Sequence, residues 1–213
     1  MNPAAAWRAT AQRRGSALPG RRASAARRGE PAQVFGVALW TFIGVATALF
    51  SLFITAYVMR MSGADAVAIA MPRQLWLSTA CLVLGSLALQ RAAVAPPARA
   101  LAPLWMGGAC AMAFLLVQSW AWQALLAQQV TPAGNPAGGF FYLLTTMHGL
   151  HVAGGLVAWA VVARSAGRQP LATDWRIALC ARYWHFLLIV WLALFACFIW
   201  ITPDVARVIC RTP

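Results

Sequence analysis

All three histidines of the chain lie in its most apolar stretches. His148 and His151 sit in FFYLLTTMHGLHVAGGLVAW, residues 140–159, and His185 sits in YWHFLLIVWLALF, residues 183–195, with Arg182 just ahead of it. Ionisable groups in membrane-length apolar runs are costly, so they are usually partnered or functional. Three chemistries fit these residue types. In the first, which is favoured, each neutral imidazole hydrogen-bonds a backbone carbonyl or a hydroxyl across a helix bundle. In the second, His151 and His185 ligate a haem from facing helices; three histidines allow at most one such haem. In the third, the histidines with Thr145 and Thr146 carry protons. Membrane proton relays usually include carboxylates, and the acids Glu30, Asp65, Asp174 and Asp204 all lie outside the apolar runs. This argues against a pump or secondary transporter acting alone. Arg182 is expected to snorkel to the cytoplasmic headgroups, where lipid phosphates favour it.

Five apolar runs must position these groups: about 33–58, 74–89, 101–127, 140–162 and 177–201. About 20 residues of helix cross ~30 Å of hydrocarbon. Backbone groups cannot stay unpaired in lipid, and none of the runs alternates as a barrel strand does, so all five are predicted to be helices. At about 1.5 Å per residue, His151 on the fourth helix and His185 on the fifth come to one level near the midplane. Gly44 with Ala48, Gly107 with Ala111, Gly149 with Ala153, and Gly154 with Ala158 are small-xxx-small pairs that let helix backbones approach. The expected fold class is all-α: an integral membrane, five-transmembrane-helix antiparallel bundle over 33–213, preceded by a basic disordered tail over 1–32. Inverted repeats of the transporter kind are not visible in the sequence.

Composition supports the membrane class. Apolar residues make up 62% of the 213 and charged residues only 10%, against about 25% in soluble domains. The net charge of +13 would suit a nucleic-acid partner, but seven of the seventeen arginines fall in the first 28 residues and the rest flank apolar runs. That is a topology signal, and no nucleic acid is expected. Twelve arginines lie on the side of the tail and four on the other, leaving out Arg182. The positive-inside rule then makes the N-terminus cytoplasmic. Trp76, Trp122 and Trp200 outside, and Trp105, Trp159 and Trp175 inside, read as interface anchors. The Arg- and Ser-containing, acid-poor tail also suits a mitochondrial transit peptide; a secretory signal is disfavoured, because the following run is long and lacks a small-x-small site. Arginine without lysine points to a GC-rich bacterial genome, hence the bacterial inner membrane. Cys81, Cys110, Cys180 and Cys197 read as small buried hydrophobes, and Cys210 stands alone in the tail.

Two segments together resemble a known family. Residues 140–156, FFYLLTTMHGLHVAGGL, resemble the signature of subunit III of haem-copper (cytochrome c) oxidases, in which a phenylalanine pair leads into LTG-x-HGLHV-x-x-G. Residues 183–195 resemble its YWHF-x-D-x-VW-x-x-LF. Fainter echoes are Tyr57 in FITAY and Gln118 with Trp122 in QSWAW. Order and spacing fit over about residues 35–201. The chain resembles the five-helix form, which lacks the first two helices of longer members and the lipid-filled cleft they build.

The resemblance implies an accessory, non-catalytic subunit of a terminal oxidase in aerobic respiratory electron transport. It implies docking on catalytic subunit I, with subunit II and phospholipids as further partners, and support of assembly, proton uptake and stable turnover. No cofactor is expected in this chain; haem and copper belong to the partner subunits, where oxygen is reduced to water. The motif positions carried over are His148, Gly149, His151, Gly155, Tyr183, Trp184, His185, Phe186 and Trp191, with Arg182 beside them, as inter-helix, subunit or lipid contacts. Three carboxylates of the family pattern are absent: their places fall near Ala46 and at Ala121 and Leu188. Roles attributed to those acids do not transfer. Association with a nitric oxide reductase or quinol oxidase, or a small single-haem b-type cytochrome, is the alternative.

Overall fold

The computed structural model describes residues 18–63, 71–132, 134–168 and 174–210. These residues form six helices: α1 (Leu18–Met61), α2 (Gln74–Val94), α3 (Pro97–Ala127), α4 (Pro136–Arg168), α5 (Asp174–Trp200) and α6 (Pro203–Cys210). The first five are long and apolar enough to cross a membrane, as predicted. The chain divides into two compact units, Met1–Thr41 and Phe42–Pro213. In the first, residues 18–41 are helical throughout; within α1 the membrane-length apolar part is Ala32–Met61, which starts where the run was predicted. Alanine and arginine, abundant there, are good helix formers. Residues 1–17 of the expected tail lie outside the described residues.

Local sequence sets several helix ends. Ala95 takes extended backbone, φ −76° and ψ 150°, as the residue before a proline prefers. Pro97 then opens α3 at a position where a missing N–H is harmless. The resulting connection folds α3 straight back along α2. At the far end of α3, the amide of Val130 donates to Leu125 O at 3.1 Å and that of Gln129 to Leu126 O at 3.0 Å. Gln129 holds φ 60° between them, which completes a Schellman stop. Asn135 caps α4 by accepting the Ala137 amide at 3.0 Å. Thr202 does the same for Val205 of α6 at 3.4 Å.

Pairs of touching residues run in opposite order on neighbouring helices. Trp122 meets Thr145 and Phe114 meets His148, so α3 and α4 are antiparallel. Trp76 meets Phe195, Thr79 meets Trp191 and Ser86 meets His185, which makes α2 and α5 antiparallel. Phe42 meets His151 and Tyr57 meets Phe140, so α1 from Phe42 onward runs against α4. The shared core is dominated by Leu82, Leu89, Phe114, Phe141, Trp184 and Trp191, all fully buried.

The small-residue prediction holds only in part. A Cβ on Gly107 would come within 2.5 Å of Leu89 Cγ and 3.3 Å of Gly85 O, so α2 and α3 are in backbone contact there. Gly44 and Gly154, by contrast, have nothing within 4 Å, and Ala48, Ala153 and Ala158 are exposed. Those stripes face outward. Beyond Phe42, α1 meets the bundle through the large side chains of Phe42, Phe50 and Tyr57 instead. The close approaches on α3 and α4 are at Gly108, under Trp159, and at Gly155, under Tyr183.

α6 was not foreseen, because eight residues are too few for a span. It buries Pro203 and Ala206 and leaves Val208 exposed, with Asp204 and Arg207 paired at 3.1 Å on the helix.

Candidate functional site: the histidine-bearing core

α4 and α5 present their motif residues in three directions, because a helix turns about 100° per residue. His148 points to the centre of the bundle. It is fully buried among the rings of Phe114, Trp191 and Phe50, whose centroids lie 5.6, 5.2 and 6.4 Å away. Neither ring nitrogen has a hydrogen-bond partner among the described residues.

His151 lies toward α1, between Phe42 at 5.7 Å and Phe50 at 5.3 Å. Its Nδ1–H donates to Met147 O on its own helix at 2.7 Å. Its carbonyl accepts the Tyr183 hydroxyl at 2.9 Å. The Tyr183 ring lies over Gly155, where a Cβ would come within 2.8 Å of Cε1. Gly155 is also 3.4 Å from Trp184 on the same test, whereas Gly149 meets only Leu115 at an ordinary 4.0 Å.

His185 turns the other way, toward α2. In the neutral ring Nε2–H donates to Gln90 Oε1 at 2.9 Å, and the Ser86 hydroxyl donates to Nδ1. Ser86 is buried and Gln90 exposed, so this tie runs from the core to the surface of the bundle. Trp191, fully buried, extends the same seam by donating to Thr79 Oγ1 at 2.9 Å. The Phe186 ring lies 6.4 Å from that of Tyr183, tilted by 34°. Arg182 is exposed on the bundle surface.

The structure therefore separates residues that the sequence placed at one level. His151 and His185 do not face a common space: Tyr183 reaches His151, and two residues further along α5 is the opposite side of the helix. A cross-bundle tie forms at His185 only; His151 bonds its own helix, and His148 bonds nothing described. Thr145 donates to Phe141 O at 2.6 Å and Thr146 to Tyr142 O at 2.6 Å, so both hydroxyls serve their own helix. Thr145 also accepts the Trp122 indole at 3.1 Å.

Two tryptophans expected as interface anchors turn inward. Trp122 makes the bond just given, and Trp159 donates to Leu104 O at 2.8 Å. Gly108 gives the Trp159 ring room to lie against α3. Trp76, Trp105 and Trp200 are exposed. The sequence reading missed Ser86, Gln90 and Thr79. Ser86 and Gln90 stand four residues apart in an apolar run, the spacing of neighbours on one helix face, and that was the available signal. A cleft of about 240 Å³ opens elsewhere, lined by Tyr57, Met61, Met71, Ala137, Phe198 and Thr202 among others; no histidine lines it. The five cysteines are free thiols.

Comparison with known proteins places these residues in a family. The family model described as cytochrome c oxidase subunit III matches residues 93–202, more than half of the chain. That stretch contains α3, α4, α5 and every motif position named above. A probable cytochrome c oxidase subunit 3 of Mycobacterium bovis is 36% identical over 84 residues, 38% of this chain and 41% of that protein. The Mycobacterium leprae protein of the same description is 38% identical over 84 residues, 38% of this chain and 42% of that protein. The one from Nocardia farcinica is 32% identical over 85 residues, 39% of this chain and 42% of that protein. The chain thus aligns with about two fifths of the length of these curated relatives, 41 to 42%. By the span and specificity of the family match, the chain belongs to the cytochrome c oxidase subunit III family.

Proposed function

We propose that this chain is an accessory, non-catalytic membrane subunit of a haem-copper terminal oxidase. In this reading it docks on the oxygen-reducing subunit I, beside subunit II and phospholipids, and supports assembly and turnover without holding haem or copper itself. The observation that carries it is the use made of the family's motif residues. Tyr183, Gly155, His185 and Trp191 hold α2, α4 and α5 to one another, and none of them lines the cleft at Tyr57 and Phe198. A helix scaffold with a broad apolar exterior suits a docking subunit. The arginine distribution supports a cytoplasmic N-terminus, and the composition supports a bacterial inner membrane.

The test is co-purification. The tagged chain, extracted in mild detergent, is expected to bring down a large haem-copper subunit. Recovery as a stable species alone, in a host that assembles its oxidase fully without it, overturns the proposal. The apolar residues near Ala46 and at Ala121 and Leu188 favour a divergent branch as the second reading, with a nitric oxide reductase or quinol oxidase as the partner. Mass spectrometry of the captured large subunit tells these apart. The single-haem cytochrome loses support, since both nitrogens of His185 are engaged on the α2 side. A pyridine haemochrome spectrum on the isolated chain checks it: a haem signal lost on His185→Ala would restore that reading.

A further inference from the structure

Two buried polar side chains in the second unit lack hydrogen-bond partners at both ends among the described residues. They are Gln118, at Oε1 and Nε2, and His148, at Nδ1 and Nε2. Gln118 is 4% exposed and His148 is 0% exposed. Buried polar groups are nearly always hydrogen-bonded, to protein or to ordered water.

The two lie within about one helical turn of each other along the bundle. Trp122 of α3 bonds Thr145 of α4, and Phe114 of α3 touches His148 of α4. Gln118 stands midway between Phe114 and Trp122, one helical turn from each and on the same face. His148 stands one turn beyond Thr145. Because α3 and α4 are antiparallel, the two contacts together bring Gln118 and His148 within about one helical turn of each other on the shared seam. Phe50, Phe114 and Trp191 wall His148 in with rings. Ala121, fully buried three residues after Gln118, adds no polar side chain to this stretch of α3.

The chemistry of the four atoms selects the occupant. A neutral imidazole offers one donor and one acceptor, and a primary amide offers two donors and one acceptor oxygen. An anion would meet no positive charge on Gln118, and a cation would find no carboxylate. An apolar group would leave every donor and acceptor unpaired. Water both donates and accepts and can bridge groups too far apart to bond directly. We propose that Gln118 and His148 form an internal hydration site holding one or two ordered waters, which join α3 to α4 at the centre of the bundle. This is independent of which large subunit the chain assists.

The test uses the full chain in its native complex. A water-resolving cryo-EM map is expected to show ordered density within about 3 Å of a side-chain atom of Gln118 and of a ring nitrogen of His148. Side chains bonded directly to each other, or no density between them, overturn the proposal. Infrared difference spectra in ordinary and 18O-labelled water give a second readout. An isotope-sensitive O–H stretching band is expected in the wild type and should be lost in Gln118→Met, which keeps the side-chain length. A band unchanged in that variant also overturns it. The wild-type map decides if the variant does not assemble.

Discussion

The Tyr183 hydroxyl donates to the carbonyl of His151 at 2.9 Å, while its ring lies over Gly155 one turn further along the same helix. The carbonyl has two lone pairs, so it can accept the phenol and still serve its own helix. Gly155 leaves the room that the ring needs. Bond and contact therefore depend on each other, and they respond to different substitutions. Tyr183→Phe keeps the ring and is expected to cost about 1 kcal/mol. Gly155→Leu drives a side chain into the ring and should cost about 1–3 kcal/mol or more, with lower recovery of assembled complex. Gly154→Leu, on the open face, serves as the control and should unfold thermally like the wild type. Equal damage from the Gly154 and Gly155 variants would refute the assignment of the packing face.

Gly108 makes the parallel case between α3 and α4. A Cβ there would come within 2.1 Å of the Trp159 ring. Gly108→Ala should force the indole off α3, weaken its bond to Leu104 O and destabilise by about 1–3 kcal/mol. Trp159→Phe in the same background should recover part of that loss. Thermal unfolding of the single and double variants in detergent measures both effects.

At the α2–α5 seam, removing one partner is expected to be worse than removing both. His185→Leu leaves the buried Ser86 hydroxyl without its partner, and an unsatisfied buried group costs about 1–3 kcal/mol. Ser86→Ala added to His185→Leu should restore part of the stability. A double-mutant cycle reads the coupling, for which at least about 0.5 kcal/mol is expected. Strict additivity would show that the two do not interact.

Gln129 is the described non-glycine residue at positive φ, 60°, where α3 ends. The left-handed conformation costs an ordinary residue about 1–2 kcal/mol, and glycine avoids it. Gln129→Gly should therefore raise the thermal stability by about 1 kcal/mol, less the added entropy of the unfolded chain. Gln129→Val should lower it, since a branched Cβ fits that region worst. Melting curves of the two variants must move in opposite directions for the Schellman stop to stand.

Much of the architecture was legible because membrane burial leaves a one-dimensional signal. Run length and apolarity gave five spans, and the order and spacing of HGLHV and YWHF pointed to the family. The helix ends at Ala95 and Asn135 were not read: the predicted runs stopped at 89 and began at 101 and 140, because apolarity fades before the helix does. The face of each helix was less legible. Gly154 and Gly155 are adjacent and chemically identical, yet one faces outward and the other lies beneath Tyr183. Trp122 and Trp159 have the composition and position of interface anchors, but their indoles bond inward. In lipid both sides of a helix can be apolar, so hydrophobic periodicity no longer marks the packed side.

By itself the sequence determined the class, the spans and the positions of the three histidines along them. Their partners were decided only by tertiary structure. Rotation about the helix axes sends His185 to Ser86 and Gln90, turns His151 back to its own helix, and seals His148 among rings on the seam it shares with Gln118. Depth follows from residue count, but facing follows from how helices dock. Docking is set by a few close approaches, Gly107 on Leu89, Gly108 under Trp159 and Gly155 under Tyr183, whose partners lie far away in the chain.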